Sequence, residues 1–237
     1  MSNKEDINTY CSYFKERLEE IKAIENRLYR KILIVAMIDS LARAVYTGKG
    51  NRERFICFIK SFSGWRDHCR VSLPQLALNL QSDSTNSELE REVKERLEKW
   101  QGGTIYRINE VDPCKQELER LATNELRNFI EKSSHAELLY IYRNHLVHEF
   151  REPGHPSEVS SDDTSPYYVE TPDRAYSNEE LREFMRKSTR TWELVYPVGF
   201  FVSIVKESLA NLKHYLEDND LNPYSNYQFG SIWKPHR

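Results

Sequence analysis

Along most of the first 150 positions, apolar residues recur at three- and four-residue spacing, the period of a helix with one buried face. Tyr10, Tyr13, Phe14, Arg17, Leu18, Ile21, Ile24 and Leu28 mark the first such stripe. A second helix is predicted from about Tyr29 to Tyr46, with Asp39 and Arg43 as an i,i+4 pair, and it must stop at Gly48-Lys49-Gly50. Asn51 is placed to cap a third helix, which carries Phe55, Phe58, Ile59 and Phe62 on one face and breaks at Gly64. Ser72-Leu73-Pro74 reads as the start of a short helix, with Ser72 as cap and Pro74 tolerated in the first turn.

Ser87-Glu88-Leu89-Glu90 is a capping box, opening a helix that reaches toward Trp100 and ends at Gly102-Gly103. Thr104 to Ile108 suits a short strand. Asp112-Pro113 opens a helix with Leu118 and Leu121 facing inward; continuation through Phe129 and Ile130 is left open. Ser134-His135-Ala136-Glu137 is a second capping box. The helix behind it holds Leu138, Leu139, Tyr142, Leu146 and Phe150 and must end near Pro153-Gly154.

Residues 151–177 change character, with four prolines, several Ser and Asp, and the Tyr167-Tyr168 pair. A hairpin around Tyr167-Tyr168-Val169, or an irregular insertion, fits this stretch. A loop this long inside a compact domain tends to be functional. Ser177 to Glu180 is a third capping box, opening a helix toward Arg190. Trp192 to Tyr196 suits a strand, and Val198 to Leu216 a final amphipathic helix. The predicted class is mostly α: a helical bundle forming one domain over residues 1–237, with a small β-hairpin or irregular insertion near 151–196.

Composition narrows the function. Of 237 residues, 39% are hydrophobic, 30% charged and 12% aromatic, which suits a packed core rather than disorder. The net charge of −3 excludes an overall basic nucleic-acid coat and leaves only local basic patches. The apolar run Ile32 to Ile38 ends at Asp39, far short of the ~20 residues that span a bilayer. The first six residues lead into no apolar stretch of the kind a signal peptide needs. Cys11, Cys57, Cys69 and Cys114 are scattered without a CxxC pair, so a reduced cytoplasmic protein without a disulfide framework is expected. No P-loop, dinucleotide-binding, zincin or nucleophile-elbow motif occurs, and His68-Cys69 has no second ligand pair nearby. No metal and no cofactor is expected.

The segment Leu139 to Phe150 carries the chemistry. It places Arg143, Asn144, His145 and His148 in the body of a capped helix. Asn144 and His148 lie four apart, on one face. Arg143 and His148 differ by five steps, about 140° around the axis at 3.6 residues per turn, an angle that a long arginine can bridge. Imidazole serves as acid or base because its free form titrates near 6.5. Guanidinium is always charged, and its fork matches phosphate. Two readings stand side by side: a catalytic cluster, or Arg143 paired with a carboxylate and His148 a satisfied, half-buried histidine. His145 is expected to point away from the cleft and His155 toward solvent.

Arg143-Asn144-x3-His148 resembles the Arg-x(4–6)-His signature of HEPN domains. Further segments look like parts of bacterial HEPN-type proteins: Ile38 to Arg43, Asn51 to Phe55, Val71 to Leu76 and Val147 to Gly154. The resemblance implies a helical bundle acting as a metal-independent ribonuclease of toxin–antitoxin or phage-defence systems. It also implies a homodimer in which two motifs share one composite site, since a single His148 does not easily act as both acid and base. Arg143, Asn144 and His148 are then the catalytic residues. An RNA substrate and an antitoxin or defence-system partner are implied, and no membrane. The alternative is a non-catalytic helical module that binds RNA, a nucleotide or a partner protein. Arg27, Arg30, Lys31, Lys49, Arg52, Arg54, Arg66 and Arg70 are candidates to guide RNA, though each taken singly reads as part of a solvated face. Tyr167, Tyr168 and Tyr176 are placed either to stack bases or to pin the loop to the body.

Overall fold

The computed structural model describes residues 3–81, 87–154, 158–171 and 191–226. Helix α1 (Asn3–Lys22) buries Ile7, Tyr10, Cys11, Phe14, Leu18 and Ile21. The first stripe does not run on to Leu28, because Asn26 stops it: its side chain accepts the Tyr29 N–H at 3.2 Å and starts α2 (Arg27–Val45). Tyr13 lies outside the buried face, 53% exposed. Helix α3 (Asn51–Phe62) buries Phe55, Phe58, Ile59 and Phe62 as the spacing predicts. Its cap is Gly50 rather than Asn51, which is the first helical residue. Gly64, at φ +67°, ends this segment in the left-handed region that an L side chain rarely adopts.

Helix α4 (Leu73–Gln81) starts where Ser72 Oγ accepts the Gln75 N–H at 3.3 Å. Helix α5 (Glu88–Glu98) starts where Ser87 accepts the Glu90 N–H at 3.1 Å. The expected strand at 104–108 shrinks to β1 (Tyr106–Arg107), because Ile108 already opens the short helix α6 (Ile108–Val111). The region after Pro113 is broken rather than one helix: α7 (Lys115–Glu119) and α8 (Arg127–Lys132) are separated by turns.

Helix α9 (His135–Asn144) begins at Ser134 as expected, but the box is not closed. Ser134 Oγ is buried without a hydrogen-bond partner among the described residues, and Glu137 instead meets Arg52 at 2.6 Å. The His135 N–H is satisfied by the Arg70 carbonyl at 3.0 Å.

Strands β2 (Tyr167–Thr171) and β3 (Thr191–Val195) pair antiparallel in the region read as a hairpin. β1 joins the outer edge of β2, with Tyr106 opposite Tyr168. The predicted helix from Ser177 to Arg190, His155 and Tyr176 lie outside the described residues. Helix α10 (Val198–Asp218) packs along α1, α2 and α3. The fold is mostly α, and nearly all of the described buried apolar residues form one cluster from Ile7 in α1 to Leu216 in α10.

A buried polar hub ties sheet to bundle. The Asp112 carboxylate meets His135 Nε2 at 2.7 Å, the Tyr168 hydroxyl at 2.7 Å and the Leu73 N–H at 3.1 Å. His135 Nδ1 lies 3.4 Å from the Tyr196 hydroxyl. Burial, and the Asp112 charge after it, push the Tyr168 and Tyr196 hydroxyls well above the ordinary tyrosine range, so both remain donors. Of the tyrosines proposed as base stackers, Tyr167 and Tyr168 are therefore pins: they are 1% and 0% exposed. Asp112→Ala should lower stability by about 3–5 kcal/mol in urea unfolding, since it leaves three buried donors without an acceptor. A loss under 1 kcal/mol would contradict the hub.

Candidate functional site

Helix α2 positions the Arg-Asn-His segment from both ends. Near one end, Lys31 is 0% exposed and reaches Glu152 at 2.8 Å, Glu158 at 3.1 Å and the Tyr142 hydroxyl at 3.2 Å. Tyr142 also donates to Glu152 in a very short contact. Burial first, and the neighbouring Glu152 charge second, raise this tyrosine well above its ordinary range. Glu158 in turn accepts the Val198 N–H at 2.9 Å at the start of α10, where Pro197 brings no side-chain cap. A carboxylate is favoured there because a helix N-terminus carries partial positive charge. Lys31 is thus a structural ion rather than a guide for RNA.

About 12 Å further along α2, eight residues at 1.5 Å each, Asp39 receives Arg143. Arg143 Nε donates to Asp39 Oδ2 at 2.8 Å, and Nη2 donates to the same oxygen in a shorter contact. Burial raises the Asp39 carboxyl above its ordinary range, and the Arg143 bonds pull it back in part. The i,i+4 pair expected between Asp39 and Arg43 is not made; Asp39 turns to α9 instead. Arg143 also sits over the Tyr140 ring, with Cζ 6.0 Å from the centroid.

The expected regular helix stops at Asn144. His145–Glu149 forms a π turn, with the Phe150 N–H bonding back five residues to the His145 carbonyl. Wide turns of this kind are rare and recur at functional sites. Each step in such a turn rotates the chain less than in an α-helix, so the 140° offset between Arg143 and His148 narrows. Arg143 Nη1 comes within 3.3 Å of His148 Nε2 and 3.0 Å of Asn144 Oδ1. Arginine has no acceptor, so this contact makes Nε2 the lone-pair nitrogen and places the imidazole proton on Nδ1. The three sequence-predicted residues therefore meet, with Arg143 at 11% side-chain exposure and His148 exposed. His145 turns elsewhere, with Nδ1 2.9 Å from Glu149.

Phe150 ends the turn at φ 58°, a left-handed conformation that is costly for a bulky residue. Its ring is 58% exposed and touches Tyr29 with 5.8 Å between centroids.

A cavity of about 230 Å³ opens beside Arg143, lined by Asp39, Ser40, Arg43, Asn51, Arg54 and Arg143. Three guanidinium groups and one carboxylate give it a positive balance. Of the eight basic residues considered as RNA guides, only Arg54 lies here. Lys49 pairs with Glu53, Arg52 with Glu137, Arg70 with Asp67, and Arg27 approaches Glu158 at 4.0 Å. Arg43 and Asn51 were legible only as helix furniture, a partner for Asp39 and a cap. The signal that joins them to the site is the polar break in α2 after the run Ile32 to Ile38, facing the start of α3. Among the described residues no group of three or more His, Cys, Asp and Glu side chains is arranged to hold a metal ion, and no helix is long and apolar enough to cross a membrane. No family model, curated protein or solved structure matches the chain.

Lys31→Met should destabilise the protein by about 3–5 kcal/mol, because it strands Glu152 and Glu158 near the interior. Adding Glu158→Gln should recover part of that loss in urea melts; a double variant no better than Lys31→Met would refute the pairing. Phe150→Gly should raise stability by roughly 0.5–1 kcal/mol by removing left-handed strain at little cost in burial. A lower melting midpoint would show that the Tyr29 contact outweighs the strain.

Proposed function

We propose that this chain is a metal-independent RNA endonuclease of HEPN type. The observation that carries the reading is the contact between Arg143 and the lone-pair nitrogen of His148, at the side of an arginine-lined cavity. In this reading the 2′-OH of a bound ribose displaces the Arg143 N–H from His148 Nε2, the freed lone pair takes the 2′-OH proton, and the resulting oxygen attacks the adjacent phosphorus. The bond to the 5′-oxygen breaks, leaving a 2′,3′-cyclic phosphate on one product. The departing oxygen needs a proton, which His148 of a second copy supplies across a two-fold axis. Arg143 orients the imidazole, and Asn144 holds Arg143 through its side-chain oxygen. A cytoplasmic location, a toxin–antitoxin or phage-defence setting and a protein partner that restrains the activity belong to the same proposal. The four free thiols suit a reducing compartment.

One observation favours a second reading. The contacts to Asp39, Asn144 and His148 engage four of the five guanidinium N–H groups of Arg143. An arginine so committed also serves as a pin between α2 and α9, and the chain is then a non-catalytic helical module that binds RNA, a nucleotide or a partner protein.

RNA cleavage in EDTA separates the two. The nuclease reading expects cyclic-phosphate products from the wild type and a drop of at least about 100-fold in His148→Ala and Arg143→Ala, the usual scale for a lost proton-transfer group. Equal rates in all three proteins end it. A monomer by light scattering, under conditions where RNA is cut, ends the composite site.

A further inference from the structure

Arg143 cannot be the main seat of an incoming phosphate, because most of its donors are already taken. The cavity beside it holds two guanidinium groups in a different state. Arg54 donates to the neutral side chain of Asn51 at 2.6 Å and makes no ion pair among the described residues. Arg43 is exposed, and its side chain has neither an ion pair nor a hydrogen bond among the described residues. Both stand close enough to Asp39 for their charges to act on its carboxyl, yet that carboxylate is held by Arg143. Two cations without carboxylate partners among the described residues therefore face one cavity, and the acid among its lining residues, Asp39, is neutralised from the other side.

The surroundings suit an anion. Asn51 opens the 12-residue helix α3, whose cap residue Gly50 brings no side chain to the first-turn N–H groups. The partial positive charge of that helix end adds to the two arginines. The volume of about 230 Å³ falls below the roughly 300–1,000 Å³ of a pocket that encloses a drug-sized molecule. It suits one phosphate group with part of its sugar, while a base would remain outside.

We infer that Arg43 and Arg54 form a phosphate subsite for an RNA strand, next to the Arg143–His148 pair and distinct from it. Here the strand is held by the phosphate that neighbours the one attacked. The guanidinium forks of α2 and α3 grip that phosphate from two sides, and the strand direction is set before the 2′-OH meets His148. The inference rests on the nuclease reading for the identity of the strand as RNA; its electrostatics stand without any cleavage.

The test uses a fluorescent single-stranded 2′-O-methyl RNA, which carries the phosphates and cannot be cut through a 2′-OH. Its affinity is measured against salt for the wild type, Arg43→Ala, Arg54→Ala, the double variant and Lys94→Ala. Each arginine loss should weaken binding about 5- to 10-fold and lower the slope of log K against log salt by up to roughly 0.7 per phosphate contact. Lys94→Ala, which removes an exposed cation of α5 away from the cavity, should bind like the wild type. Arg43→Lys and Arg54→Lys should recover only part of the affinity, since an ammonium keeps the charge without the fork. Equal affinity and equal salt slope for wild type and a double variant with an unchanged melting midpoint would overturn the subsite. Loss from Arg43→Ala and Arg54→Ala in a chain that leaves unmodified RNA whole would keep the subsite and retire the nuclease. Cleavage with the same KM in the presence and absence of both arginines would do the reverse.

Discussion

The burial of one ammonium group sets the frame of the candidate site. Lys31 lies in α2 with no solvent exposure, and a charge in that position is tolerated only with partners at hand. Those partners come from far along the chain: Glu152 just beyond the π turn, Glu158 before β2, and the hydroxyl of Tyr142 inside α9. The segment after the helix must therefore fold back onto α2 instead of running on. Glu158 then reaches the first turn of α10 through the Val198 N–H. One buried cation thereby ties α2, the end of α9, the loop and α10 into a single arrangement. Its strength is specificity more than net stability, because desolvation cancels much of the attraction in such clusters.

With both Lys31 and Asp39 on α2, the Arg-Asn-His segment is held at two points, and the chain between them must fit the distance. A regular α-helix from His135 to Phe150 would leave Arg143 and His148 about 140° apart. The π turn takes up the mismatch, and Phe150 absorbs the reversal in a left-handed conformation. The closeness of guanidinium and imidazole is thus a product of helix geometry that no single contact creates. Local irregularity held by surrounding packing is the usual form in which strain is kept near functional groups.

This explains what was legible in the sequence and what was not. Helices with one apolar face, such as α1, α3 and α10, followed from spacing because burial repeats every three to four residues. Ser72 and Ser87 followed from cap chemistry. Ser134 marked its boundary correctly, but Glu137 left the box for Arg52, a tertiary partner that local pattern cannot reveal. Asp39 is the same case: its sequence neighbour Arg43 was the natural partner, and its structural one stands 104 positions away. The π turn was invisible because its residues, His145 to Glu149, carry no composition distinct from an α-helix. The Asp112 hub was equally hidden, since a single Asp before a proline reads as a helix start.

The pairing of Asp39 with Arg143 has a consequence for how charge is divided at the site. A guanidinium held by a carboxylate keeps its geometry but loses much of its net field, and that suits it to orient His148 rather than to neutralise a phosphate. If the site holds a phosphate, as proposed, the field comes from groups without such a partner, and among the described residues at the cavity these are Arg43 and Arg54. Positioning and electrostatics would then reside in different arginines on different helices: α9 for the first, α2 and α3 for the second. Asp39, facing both sets, is the point where they are balanced. Its raised carboxyl reflects how much desolvation the cavity wall imposes even with Arg143 bonded to it.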